Sequence, residues 1–273
     1  MVGAVSSVQF GAAFAKSIFD EIGPGGTVFL RMLFAALVLM AIWRPRVRGH
    51  SRRDLALMLL FGASLAGMNA TFYAALDRIP LGVAVTFEFI GPLSVAVFGS
   101  RKRLDLAWAA LAAAGIVLLS DFGGADLDGL GVALALIAGA FWAAYILLAA
   151  RVGQAFPGGD GLALAMLVAV VPLAPVGIAD GGGDLLMAGV LAVGFAVAML
   201  SSAIPYTLEL EALRRLPANV FGVLMSLEPA LAATAGFIVL GEDLVAREIV
   251  AILLVVAASA GAARGASIAM RDA

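Results

Sequence analysis

The chain is a nearly continuous series of apolar runs, each 15–25 residues long, separated by short clusters of Pro, Gly, Arg and Asp. A helix needs roughly 20 apolar residues to cross a bilayer. Runs at 2–20, 25–43, 54–76, 81–99, 106–120, 129–150, 161–178, 185–209, 219–240 and 246–264 predict an all-α integral membrane protein of ten transmembrane helices. The connections are mostly too short for anything but antiparallel neighbours, and they leave no room for a soluble domain. The first run begins at Met1 with no basic segment before it and carries Gln9 and Lys16. It therefore reads as a spanning helix and not a cleaved leader.

Composition agrees with this pattern. Hydrophobic residues make up 63% of the 273 and charged residues 13%, against roughly 25% charged in a soluble domain. Mean hydropathy is +1.08. The absence of cysteine excludes disulfides, thiolate metal sites and a cysteine nucleophile. The single histidine, His50, lies in an arginine-rich loop, so no nucleophile–base pair or metal-ligand set is expected inside the bilayer. This argues against an enzyme and implies no cofactor. The glycine pairs (Gly123-Gly124, Gly158-Gly159) are not followed by the Lys-Ser/Thr of a phosphate-binding loop. No ATPase subunit and no nucleic-acid partner are implied; membrane lipid is the obligatory surrounding.

The net charge of −2 matters less than where the charges fall. Arg44, Arg46, Arg48, Arg52, Arg53, Arg101, Lys102, Arg103, Arg151, Arg214, Arg215, Arg264 and Arg271 occupy alternate loops and hold thirteen of the seventeen basic residues. The opposite loops are acidic. The excess of Lys and Arg on the inner side of membrane proteins then predicts both termini in the cytoplasm.

Shifting the chain by 137 positions aligns Ala75-Leu76-Asp77-Arg78-Ile79-Pro80 with Ala212-Leu213-Arg214-Arg215-Leu216-Pro217. The same shift pairs Pro92 with Pro229 and Asn69 with Tyr206. This divides the chain into a five-helix repeat (1–120), a periplasmic linker (121–128), a second repeat (129–266) and a cytoplasmic tail (267–273). Five crossings per unit turn the second copy upside down, the build of many secondary transporters.

Four ionisable residues fall inside predicted spans: Lys16, Arg31, Glu88 and Glu228. Each costs roughly 2.5–3.5 kcal/mol at a helix centre, so they should pair or line a wet cavity. Two cations and two anions also suit a zwitterion, whose carboxylate is met by Lys16 or Arg31 and whose ammonium is met by Glu88 or Glu228. Lys16, a turn before Asp20, is also within snorkelling reach of the interface. Arg31 fits a helix–helix ion pair as well as a ligand contact. Pro92 and Pro229 cannot donate to the carbonyls of Glu88 and Met225, so each half should contain a broken helix beside a glutamate. Such freed backbone lines a cavity or finds protein partners.

A second polar layer comprises Gln9, Asn69, Tyr73, Thr86, Tyr145, Ser201, Ser202, Tyr206 and Ser226, of which Asn69, Tyr73 and Tyr206 are weighted toward the cavity. Pro205 frees the Ser201 carbonyl. Glu209 and Glu211, close in sequence to Arg214 and Arg215, read as local ion pairs at the inner interface.

At several of these positions the sequence resembles the threonine/homoserine exporters of the EamA branch of the drug/metabolite transporter superfamily. The matching stretches are Gln9 with Ala15-Lys16-Ser17, Gly67-Met68-Asn69 with Phe72-Tyr73, Phe87-Glu88-Phe89 with Gly91-Pro92-Leu93, Pro205-Tyr206 with Leu208-Glu209, and Leu224 through Ala233. Phe10, beside Gln9, stands where that family carries a small residue. The resemblance implies a multi-pass bacterial inner-membrane exporter of threonine, homoserine or similar compounds, driven by proton exchange; alternating access is the mode expected of the inverted repeat, and their depth in the bilayer makes Glu88 and Glu228 the proton-coupling candidates. It leaves open a broader metabolite or drug exporter of the same superfamily, in which the carboxylates serve cations. A channel or scaffold is the reading from a different class.

Overall fold

The computed structural model describes residues 3–4, 7–8, 18–46, 49–79, 81–100, 103–119, 128–228, 230–231 and 246–271. Gln9, Phe10, Lys16, Pro229 and the linker core 121–127 lie outside that set, as do most of the predicted span 2–20 and residues 232–240 of the span 219–240. Among the described residues there are helices and turns but no strand. In chain order they form α1 (Phe19–Trp43), α2 (Arg52–Leu76), α3 (Leu81–Glu88), α4 (Ile90–Phe98), α5 (Arg103–Leu119), α6 (Gly129–Ala155), α7 (Asp160–Gly181), α8 (Ala188–Ala198), α9 (Ile204–Arg215), α10 (Ala218–Met225) and α11 (Ala246–Arg271). A 3-10 turn at Gly182–Leu186 follows α7, and a π turn at Met199–Ala203 joins α8 to α9.

Five segments among the described residues are long and apolar enough to cross a membrane: Glu21–Trp43, Arg52–Leu76, Gly129–Ala155, Asp160–Leu186 and Ala188–Arg215. Val83–Phe98 and Ile249–Arg264 are shorter apolar helices. Their outer faces carry large apolar side chains with no protein cover: Phe98 is 88% exposed and Val171 71%. In water a surface this apolar would be unfavourable; against lipid tails it is the expected solution.

Local chemistry sets where the helices begin and end. Gly23 takes φ 66° and ψ 171°, a conformation strained for residues with a side chain, and Pro24 then opens the main part of α1. The Gly25 N–H donates to the Asp180 carboxylate at 3.1 Å, tying that entrance to the end of α7. Ser51 and Asp54 form a reciprocal capping box at the start of α2. Asp128 caps α6 by accepting from the Leu130 N–H at 2.9 Å and also pairs with Arg78 at 2.9 Å.

The other end of α6 is held from the opposite side of the molecule. Arg214 donates through Nε to the Gly153 carbonyl at 2.8 Å, and through Nη2 to the carbonyls of Phe156 and Gly158. It thereby satisfies the Gly153 carbonyl, one of those the end of a helix leaves without partners, and two carbonyls of the turn that follows. Arg78 and Arg214, from the two aligned Ala-Leu-x-x-x-Pro segments, thus secure opposite ends of one helix.

Helices pair closely across the chain: α1 on α7, α2 on α6, α4 on α10 and α5 on α11. Glycine permits close approaches between helices. A Cβ on Gly62 of α2 would stand 2.6 Å from the Ala165 carbonyl of α7, and one on Gly139 of α6 would stand 2.6 Å from the Glu88 carbonyl. The Gly139 contact gives the proline-freed carbonyl of Glu88 a packed neighbour.

Candidate functional site

The break in the first half falls at Phe89, between α3 and α4, three residues before the proline that removes a ladder donor. The second falls at Ser226, directly after α10. Phe89 has φ −64°, ψ −14° and Ser226 has φ −61°, ψ −13°, so positions 137 apart share one backbone geometry. Each break lies next to a glutamate: Glu88 on one side, Glu228 two residues past the other.

These breaks bring the sequence-predicted residues together. Glu88 is buried, with Glu228 and Arg31 within electrostatic reach. Arg31 Nη2 donates to the Asn69 Oδ1, and the Asn69 amide nitrogen donates to the Leu65 carbonyl at 2.8 Å. The guanidinium lies 5.9 Å from the centre of the Tyr73 ring, a distance at which a cation and an aromatic face attract. Tyr206 is buried, within hydrogen-bonding reach of Asn69 and electrostatic reach of Arg31 and Glu228. Asn69, Tyr73, Arg31, Glu88, Glu228 and Tyr206 therefore form one cluster. The structure describes neither Gln9 nor Lys16, so their place relative to it stays with the sequence.

Of the two readings open for Arg31, the helix–helix ion pair is not what the described residues form. Arg31 makes no ion pair among them, and its polar partner is the neutral Asn69. Its Nε–H is buried and has no hydrogen-bond partner. That is the N–H lying beside Nη2 on the edge a carboxylate grips with both oxygens.

One expectation needs correction. Glu211 does pair locally, with Arg214 at 3.1 Å and Arg215 at 2.5 Å. Glu209 does not. It is 4% exposed and accepts a hydrogen bond from the Tyr145 hydroxyl at 2.8 Å. Proximity in sequence misassigned it, although helical periodicity held the signal. Glu209 lies three residues after Tyr206 and four before the buried Leu213, all on one face, whereas Glu211 is rotated away. Tyr145 links this carboxylate to a run of rings, with Phe61 at 5.4 Å and Tyr206 at 5.6 Å between centroids.

The π turn adds a further polar feature. The Ile204 N–H reaches back five residues to Met199, and Pro205 has no N–H to offer. The Leu200 carbonyl, left without a ladder donor, accepts from the Ser7 hydroxyl at 2.6 Å. Ser202, in the middle of this turn, is fully buried, and its hydroxyl has no partner among the described residues.

Comparison with known proteins yields a consistent kinship. Residues 129–264 match the model of the EamA-like transporter family. The threonine/homoserine exporter RhtA of Salmonella typhimurium strain LT2 is 45% identical over 261 residues, spanning 94% of this chain and 88% of the relative. The threonine/homoserine exporter RhtA of Escherichia coli strain K12 is 44% identical over the same length and shares. A solved crystal structure at 19% identity superposes with a TM-score of 0.82, covering 97% of this chain and 96% of the other, and shares the fold.

Proposed function

The chain belongs to the EamA-like transporter family, and from that premise we propose that it exports threonine, homoserine or similarly small amino acids across the bacterial inner membrane. The observation that carries this reading is the buried cluster of opposite charges at two broken helices. The substrate carboxylate takes the Nε/Nη2 edge of Arg31, where Asn69 already fills half of the fork. Its ammonium is met by Glu88 and Glu228, with Tyr73 and Tyr206 closing the polar wall. Gln9 and Lys16 of the first predicted span complete the set. The names of the two relatives point to the same substrate class.

Alternating access follows from a five-plus-five inverted repeat, with both termini in the cytoplasm. Supporting it are the matching backbone geometry at Phe89 and Ser226 and the hydrogen-bonding reach between Asn69 and Tyr206. Partners in such a repeat, 81–98 with 218–225 and 103–119 with 246–271, lie against each other. A proton carried on Glu88 or Glu228 supplies the coupling, since an inward proton and an outward zwitterion can take the same carboxylates in turn.

Counterflow into proteoliposomes preloaded with threonine tests the substrate class. Excess threonine or homoserine should chase the label and cationic dyes should not. Chase by the dyes with none by the amino acids would favour a broader cation exporter and overturn this reading.

A further inference from the structure

Helical Ser and Thr hydroxyls in this protein have a settled habit. Thr27, Ser64, Thr71, Ser94, Thr207 and Ser226 each donate to a carbonyl three or four residues earlier. That bond is how such side chains are usually satisfied inside apolar helices. Ser202 does not follow it: its hydroxyl is fully buried and unpartnered among the described residues. An orphaned hydroxyl in a dry interior is costly, so the exception at Ser202 points to a use for it.

Its place in the fold suggests the use. Ser202 sits in the π turn, a geometry that often marks functional sites in helices. Tyr206, one turn later on the same side of the helix, is within electrostatic reach of Arg31 and hydrogen-bonding reach of Asn69. The helix bearing Arg31 packs directly on the π turn. Two buried polar atoms without partners, Arg31 Nε and Ser202 Oγ, therefore come from two elements that pack on each other.

We propose that the Ser202 hydroxyl recognises the side-chain hydroxyl of the transported amino acid. This rests on the function proposed above and adds the source of its selectivity. A hydroxy amino acid presents three polar groups. The guanidinium edge suits its carboxylate, the glutamates suit its ammonium, and a neutral group able both to donate and to accept suits its hydroxyl. A site built to pair a hydroxyl discriminates against the analogue lacking it, because the buried partner is then left bare.

The test is counterflow in proteoliposomes with threonine and with 2-aminobutyrate, the analogue lacking the hydroxyl of both threonine and homoserine. The wild type should favour threonine by roughly tenfold, the worth of one well-made buried hydrogen bond. In Ser202→Ala that ratio should fall toward one through loss of threonine transport, with 2-aminobutyrate changed less than about twofold. Ser202→Thr, which keeps a hydroxyl, should retain most of the preference. Undiminished preference in Ser202→Ala, an equal fall for both substrates, or no preference in the wild type would overturn the inference. If the wild type moves neither threonine nor homoserine, the proposed function fails and the inference falls with it. If it prefers threonine and Ser202→Ala does too, the inference alone fails.

Discussion

Arg31 and Glu209 show how a residue's surroundings override its sequence neighbours. The arginine sits among apolar positions and spends one donor on Asn69, keeping Nε uncommitted. Arg31→Lys would preserve charge but lose the planar edge. It should abolish most threonine counterflow while leaving the protein monodisperse in detergent; normal flux would remove Arg31 from the site. Glu209, by contrast, relies on the Tyr145 hydroxyl. Tyr145→Phe strands a buried carboxyl group and should cost about 1–3 kcal/mol, seen as a lowered thermal midpoint. An unchanged midpoint would mean that Glu209 finds another partner. The charged positions themselves were legible in the sequence, since intramembrane Arg and Glu stand out against apolar runs. The inward face of Glu209 was legible only by counting turns from Tyr206, not from its nearness to Arg214.

The elements obey simpler rules, and more of them could be read in advance. Predicted spans 25–43, 54–76, 129–150 and 161–178 overlay helices α1, α2, α6 and α7, because unbroken apolar length is a strong signal. The proline at 92 announced a break, and the helix does break three residues before it. The π turn was out of reach of that reasoning. Pro205 reveals a missing donor, but not that Ile204 will reach back to Met199 or that Ser7 will take up the spare carbonyl. Which glycine meets which backbone is equally invisible in the sequence: Gly139 serves the Glu88 carbonyl. Gly139→Ala should therefore destabilise by about 1–3 kcal/mol through overpacking. Gly129→Ala, with open space around it, should be close to neutral. Equal thermal midpoints for the two variants would contradict the close approach.

The two ends of α6 differ in what their arginines are worth. Arg78 and Asp128 are both well exposed, so Arg78→Ala should lower the thermal midpoint only slightly. Its hydrogen bond to Arg78, and then the one from the Leu130 N–H, holds the Asp128 carboxyl below the ordinary carboxylate range. The folded state thus binds that proton less readily than the unfolded state. The pair's contribution is complete above the ordinary aspartate range and is lost as pH falls through the lowered value. A midpoint difference between wild type and Arg78→Ala that persists at neutral pH and vanishes in strong acid is expected. A difference that grows on acidification would have the wrong sign.

At the scale of the whole molecule, helices from the two halves of the chain lie side by side, and charge gathers where the broken ones meet. Rocking one half against the other would expose Glu88, Glu228 and Arg31 to each side of the membrane in turn. The exposed apolar surface confines the protein to lipid, so the motion happens within a bilayer and is best measured there. Substrate-driven proton movement in proteoliposomes, read with a pH-sensitive dye for the wild type, Glu88→Gln and Glu228→Gln, tests the central claim most directly. The wild type should move protons when threonine is added, and at least one glutamine variant should lose that coupled signal. Full coupled transport in both variants would contradict the account.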